Sequence, residues 1–344
     1  MSAFRALLGV VLLVFTGCAG LRPVEPVAQT NLLSSQVRRT TDNPKAEAYY
    51  HYTLAQIHAH AGRLKEAIGE LKDAIARDPH TPSLWTQLAL WLSRTGAHTE
   101  AIEAAGKAVE LAPNEAAGHL TLAELYRGQK QYPEAEAEFE KAVALNPQAP
   151  EPYLALARQY VELKTYDKAR SALQRLIQVQ PTYAQAHFLL GRLSIETEAW
   201  EEAIAHLRKA TELAPDSDDA WTALGYLYET RHQPEEAIKI YRQAIQINPD
   251  SAALVERLGN LLTRIGKFDE AERELETLTG LAPRNPRIWL KLGAVHYERK
   301  QYDKATDAFR RAVELDPTNL RARYFLAATY IDAGKDAEAQ AELE

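Results

Sequence analysis

Apolar residues in this chain fall at helical spacing, and the pattern restarts every 34 residues. In 219–230, Trp221, Leu224, Gly225 and Tyr228 lie three and four positions apart or adjacent, marking one face of a helix. A break follows at His232, Gln233 and Pro234. In 235–247, Ala237, Ile238, Tyr241, Ala244 and Ile245 mark one face of a second helix. Asn248, Pro249 and Asp250 end it, because a proline ring clashes with a continuing helix and biases its predecessor away from helical angles. Each unit therefore reads as two helices.

The stops keep strict register at Pro79, Pro113, Pro147, Pro181, Pro215, Pro249, Pro283 and Pro317, with no insertion or deletion. Twelve residues before each proline stands Ala67, Ala101, Ala135, Ala169, Ala203, Ala237, Ala271 or Ala305, and Ala339 continues the column. Twelve earlier again stands Ala55, Ala89, Ala123, Ala157, Gly191, Gly225, Gly259, Gly293 or Ala327. Small side chains are required where helices approach closely, since extra methylenes there cost about 1–3 kcal/mol of strain. Gly62, Gly96, Gly266 and Gly334 occupy the turn inside other units, where glycine tolerates the necessary backbone angles. A period of this size means one supersecondary unit copied along the chain, each burying its apolar face on the next. Such a chain works through its surface rather than through a catalytic pocket.

These columns resemble the tetratricopeptide repeat family. Its opening appears as Trp221, Leu224, Gly225 and Tyr228, and its later positions as Ala237, Tyr241, Ala244 and Pro249. The resemblance covers about residues 46–344, eight full copies and part of a ninth. It implies an all-α, right-handed superhelical solenoid of helix-turn-helix repeats, in which the first helix of each copy lines a concave face. Departures are mild: His51, His119 and His187 stand where Trp or Tyr is usual, and Leu176 and Leu278 where alanine is usual. They indicate local adjustments of packing.

Length alone, 344 residues, would suggest two domains, but a solenoid is one elongated body with contacts only between neighbours. Forty basic and 47 acidic residues give a net charge of −7, interspersed along the chain. That balance argues against a nucleic-acid partner, whose binding depends on neutralising phosphates. No metalloprotease, nucleophile-elbow, phosphate-loop or dinucleotide motif is present. The ten histidines are scattered and define no convergent ligand set. No catalytic residue, metal, cofactor or small-molecule substrate is expected.

The N-terminus reads as an address and an anchor. Residues 1–17 carry Arg5 and then an apolar run from Ala6 to Phe15, too short to span a bilayer and consistent with an export signal. Phe15, Thr16, Gly17 and Cys18 resemble the cleavage box of bacterial lipoproteins, with Phe15 where leucine is usual. The resemblance implies a lipidated Cys18, the only cysteine in the chain. Two or three acyl chains would anchor it firmly, at about 0.8 kcal/mol per buried methylene. Ala19, in place of an inner-membrane retention aspartate, points to the outer membrane, facing the periplasm. Residues 18–45 then form a tether and 46–344 the solenoid.

Placed on the family's concave face, helical spacing aims Tyr49, Tyr52 and Gln56 inward in the first copy. Glu124, Arg127, Leu154, Arg158, Phe188, Arg192 and Ile195 follow in the middle, then Tyr226, Glu229, Asn260, Arg264, Leu290, Tyr297 and Tyr324. The expected occupant is a protein or peptide, because tyrosine and arginine offer contact area with polar handles. Arg158 and Arg192, one copy apart, face the same way and could receive carboxylates. Glu162 and Glu196, four residues on, offer instead intrahelical pairs of about 0.2–0.5 kcal/mol. The lysine of the family's chaperone-binding carboxylate clamp is missing, as is the asparagine ladder of its sugar-transferase branch.

The ninth copy stops inside its second helix at Glu344. The expectation is that the natural chain continues, or that the last helix frays or is completed by a partner. The expected function is a non-enzymatic, lipid-anchored scaffold for envelope assembly, secretion or polysaccharide export. The rival is the recognition arm of a transferase or protease whose catalytic domain lies beyond residue 344.

Overall fold

The structure, a computed structural model, describes residues 43–343. The expected signal segment, Cys18 and most of the tether lie outside the described residues. The described chain is helical throughout. Its helices are α1 (Pro44–His60), α2 (Leu64–Arg77), α3 (Pro82–Arg94), α4 (His98–Leu111), α5 (Ala116–Gly128), α6 (Tyr132–Leu145), α7 (Pro150–Glu162), α8 (Tyr166–Val179) and α9 (Ala184–Glu196). There follow α10 (Trp200–Leu213), α11 (Asp218–Thr230), α12 (Pro234–Ile247), α13 (Ala252–Arg264), α14 (Phe268–Leu281), α15 (Pro286–Glu298), α16 (Tyr302–Leu315), α17 (Leu320–Asp332) and α18 (Asp336–Leu343). Odd-numbered helices are the first of each copy and even-numbered ones the second. α1 starts slightly ahead of the expected boundary, because Asn43 accepts from the Lys45 amide at 3.1 Å and Pro44 supplies a preset φ at the first helical position.

The turn inside every copy needs one residue in the left-handed region. Gly62, Gly96, Gly266 and Gly334 fill it in four copies, at φ between 73° and 82°. Lys130, Lys164, Glu198, His232 and Lys300 fill it in the others, at φ between 56° and 59°. In the sixth copy the turn then closes with the Gln233 amide donating to the Tyr228 carbonyl at 2.9 Å.

A second device joins each copy to the next. The residue six positions after the stop proline donates to that proline's carbonyl: Trp85 to Pro79 at 2.9 Å, Tyr153 to Pro147 at 3.2 Å, Trp221 to Pro215 at 2.9 Å and Trp289 to Pro283 at 2.9 Å. His119 and His187 do the same through Nε2, at 3.0 and 3.1 Å, and Arg323 through Nε at 3.1 Å. The histidines in the aromatic column therefore preserve the donor that a Trp or Tyr would supply. Val255, which has no donor, is the one residue of this column in the described copies that breaks the rule with a purely apolar side chain.

Two compact units are distinguished, one ending at Gln129 and one starting at Lys130. In the first, Leu71, Ala74, Leu88 and Trp91 pack with the small residues Ala55, Ala67, Ala89 and Ala101. In the second, Leu207, Trp221, Leu224, Tyr241, Leu254 and Leu275 form one continuous core. Near its C-terminal end Phe309 stacks on Phe325 with centroids 5.6 Å apart. Each such buried large side chain contributes about 1.5–3 kcal/mol of transfer free energy. Leu176 and Leu278, in an alanine column, are fully buried and serve as filling.

The glycine column shows why small residues are needed. A Cβ on Gly225 would lie 2.3 Å from the Tyr241 ring, and one on Gly293 would lie 2.6 Å from Phe309. These glycines let the first helix of a copy settle directly on the aromatic ring of its second helix. The opposite faces of the first helices stay open to solvent and carry the polar and aromatic residues considered next.

Candidate functional site

Within the second unit, α9 touches α11, α11 touches α13 and α15 touches α17, so successive first helices lie side by side. Between α7 and α9 their exposed side chains enclose a cavity of about 340 Å³. Its wall is apolar: Leu154, Ala157 and Val161 from α7, Leu189 and Leu193 from α9, with Tyr166 and Leu173 from α8. Arg158, Arg192, Gln185 and Glu196 supply the polar groups. Val161 is nearly half exposed, so a large β-branched side chain faces water here without a packing partner on one side.

A second cavity of about 380 Å³ adjoins the first and shares Arg192 and Glu196 with it. Phe188, Ile195, Ala223 and Tyr226 form its apolar part, and Asp219, Thr222 and Arg257 its polar part. The Arg192 guanidinium lies over the Phe188 ring at 5.7 Å, a cation–π contact that holds it between the two cavities. A third, of about 370 Å³, lies further on between α15 and α17 and includes Leu290, Lys291, Arg321 and Phe325.

The expected inward residues divide among these settings. Arg158, Phe188, Arg192, Ile195, Tyr226 and Leu154 line the first two cavities. Asn260 is exposed on α13, and Arg264 pairs with Glu229 of α11, whose other oxygen accepts from the Tyr241 hydroxyl at 2.6 Å. Tyr297 donates its hydroxyl to Asp332 of α17, and this hydrogen bond pushes its pKa up to about 12. Tyr324 is exposed, edge-on to Phe325 at 5.7 Å. In the first unit, Tyr49 is exposed, Tyr52 packs on the core and Gln56 is half-buried. Glu124 and Arg127 pair within α5 at 2.7 Å.

Neither expected intrahelical pair forms at Arg158 or Arg192. Among the described residues neither guanidinium has a carboxylate within ion-pair distance, and the same holds for Arg257. Elsewhere on this face, partners come from the adjacent copy, 35 residues along: Glu229 with Arg264, Glu256 with Lys291, Tyr297 with Asp332. In α7 and α9 the equivalent positions hold Leu154 with Leu189, Val161 with Glu196, Phe188 with Ala223 and Ile195 with Thr230, while Arg158 and Arg192 stand in another column, that of Tyr226 and Asn260. The sequence carried this signal, but only once contacts between copies are considered.

Two groups of potential ligands also converge. His51 Nδ1 lies 2.7 Å from Glu70, near Asp73. Glu272, Glu276 and His296 form the other, where Arg299 and Lys304 already hold Glu272 and the Gln301 side chain meets His296 at 3.0 Å. Among the described residues no helix is long and apolar enough to cross a membrane.

Tetratricopeptide repeat models match residues 50–91, 82–115, 230–295 and 296–344. The model for the C-terminal ARM domain of tetratricopeptide repeat protein 21 matches 112–262. The chain is a helical-repeat protein of stacked hairpins, and it belongs to the tetratricopeptide repeat family. It is 42% identical over 62 residues to the peroxisomal targeting signal receptors of Komagataella phaffii and Komagataella pastoris. That match spans 18% of this chain and 11% of each receptor. Among solved structures it is similar to YrrB, described as a tetratricopeptide repeat protein with an unusual peptide-binding site (20% identity, 54% of this chain and 96% of that one, TM-score 0.43). It is also similar to a tetratricopeptide repeat protein of Parabacteroides merdae (18% identity, 82% and 98%, TM-score 0.44). MamA is another such structure (21% identity, 49% and 92%, TM-score 0.42).

Proposed function

We propose that this chain is a non-enzymatic scaffold that is exported, anchored through a lipidated Cys18 at the outer membrane and facing the periplasm. Its role there is to hold protein partners in envelope assembly, secretion or polysaccharide export. The partner's segment lies along the first helices of the second unit. The observation that supports this most is the cavity between α7 and α9, where Leu154, Val161 and Leu189 offer apolar surface beside two arginines with no carboxylate partner. Pockets that are mostly apolar with a few placed polar groups are the usual form of a binding site.

Photo-crosslinking in cells tests the binding face. A photoreactive residue at Leu189 should give discrete adducts, whereas one at Lys239, which is 69% exposed on the second-helix side, should not. Equal labelling from both positions, or none from Leu189, contradicts the assignment. The anchor has its own test: Cys18→Ala should move the protein from the membrane to the soluble fraction, and unchanged membrane retention refutes lipidation.

A further inference from the structure

Resting on the reading of this face as a partner-binding surface, we infer what kind of segment it takes: an extended acidic stretch with one apolar anchor residue. The anchor enters the cavity between α7 and α9, and carboxylates on either side of it meet Arg158 and Arg192. Three observations lead there.

The first is room. An apolar cavity of about 150 Å³ accommodates a benzene-sized group. The space of about 340 Å³ here takes a leucine, isoleucine or phenylalanine side chain together with part of its backbone. Leu154, Val161, Leu189 and Leu193 supply the apolar contact.

The second is charge. Two guanidinium groups face a single carboxylate, Glu196, in the lining of this cavity. In the adjoining cavity Arg192 and Arg257 are balanced by Glu196 and Asp219. The anionic preference therefore belongs to the first cavity, and the second takes the uncharged continuation of the segment against Phe188 and Tyr226. Arginine at this rim suits carboxylates better than lysine would, because its planar fork binds them through two parallel hydrogen bonds.

The third is availability. Further along this face Arg264 is engaged by Glu229 and Lys291 by Glu256, and Arg257 lines the adjoining cavity beside Glu196 and Asp219. Arg158 and Arg192 have no such partner among the described residues, so a bound carboxylate need displace none. Packed first helices stand about 8–10 Å apart, and an extended chain advances about 3.3 Å per residue. The two carboxylates should accordingly sit about three residues apart, with the apolar anchor between them.

Panning random dodecapeptides against the purified chain, with anisotropy of the selected peptides, tests this. The expected consensus is an apolar residue between flanking Asp or Glu. A labelled peptide with a central leucine flanked by glutamates should bind at least about tenfold tighter than its lysine counterpart or its alanine-centred version. Its affinity should fall with added salt, as screening requires. Arg158→Glu and Arg192→Glu should each weaken it by about tenfold while leaving the melting curve in place, since both side chains are exposed. Selected peptides that are neutral or basic, yet lose binding in Leu189→Arg, would overturn the acidic assignment and leave the binding face standing. Peptides whose binding ignores both Leu189→Arg and the arginine variants would overturn both readings.

Discussion

One face of the second unit holds two stretches that differ sharply. On α11, α13 and α15 three polar pairs are tied across copies, Glu229 to Arg264, Glu256 to Lys291 and Tyr297 to Asp332. On α7 and α9 the equivalent ties are missing, because the columns of Glu229 and Glu256 hold the apolar Val161, Ile195, Leu154 and Phe188 there. The underlying packing does not change: Ala169, Ala203, Ala237, Ala271 and Ala305 are all fully buried in the same column. A repeat can therefore keep its core constant while the residues in two surface columns decide whether this face is tied between copies or left apolar.

The largest effect expected from this contrast falls on Glu229. Its side chain is mostly covered, and it serves both Arg264 and the Tyr241 hydroxyl, which sits on a fully buried ring. Burial, followed by the bond to Glu229, keeps the Tyr241 phenol protonated far above its ordinary range. Glu229→Leu strands that hydroxyl and should cost roughly 1–3 kcal/mol in urea unfolding. Glu229→Gln can still accept from Tyr241 and should cost less. In the open stretch Arg158→Ala should stay within about 0.5 kcal/mol of the parent, as exposed substitutions without such ties do. Equal losses from Glu229→Leu and Arg158→Ala would erase the distinction.

Acid should act on the open stretch from beneath. His187 of α9 meets His206 of α10 with Nδ1 atoms 3.1 Å apart. Because His187 Nε2 donates to the Pro181 carbonyl, its Nδ1 is left to accept from His206. Burial first, and then the neighbouring His187, lower the His206 pKa, with Glu202 opposing. A histidine depressed in the folded state binds more protons when unfolded. Its contribution is complete above the unfolded value of about 6.5 and declines as pH falls below it. The thermal midpoint should drop between neutral and mildly acidic pH, and His206→Gln should shallow that drop. His296 of α15, also lowered by burial, leaves a residual slope in the variant. An acid limb unaltered by His206→Gln would show that the pair does not couple to stability.

Much of this fold was legible as columns. The 34-residue register, the paired helices and the small-residue positions needed only spacing, because each reflects contacts inside one copy or a repeating approach to the next. The site was legible in part. Helical phase put Leu154, Arg158, Phe188, Arg192 and Tyr226 on one face, and they do line adjoining cavities. What spacing could not give was the pairing, since intrahelical geometry suggested Glu162 and Glu196 as partners while the structure pairs charges between copies. The aromatic column was likewise read as packing, although the recurring Trp, Tyr, His and Arg share a hydrogen-bond donor aimed at a proline carbonyl. The positive-φ position is another case: Lys164 and His232 occupy a site where only glycine announces itself in sequence.

The smallest effect is the most discriminating about the ties themselves. Glu256 and Lys291 are both over a third exposed, so water and salt screen their attraction. Lys291→Ala should cost about 0.2–1 kcal/mol, and a double-mutant cycle with Glu256→Gln should return a coupling in that range that shrinks at high salt. Applied to Arg192 and Glu196, which share one helix face but form no ion pair among the described residues, the same cycle should return a coupling indistinguishable from zero. A salt-sensitive coupling there as large as that at Glu256 and Lys291 would mean that Arg192 is already neutralised within the chain. The guanidinium would then be unavailable to a bound carboxylate, and the two stretches of the face would be electrostatically alike.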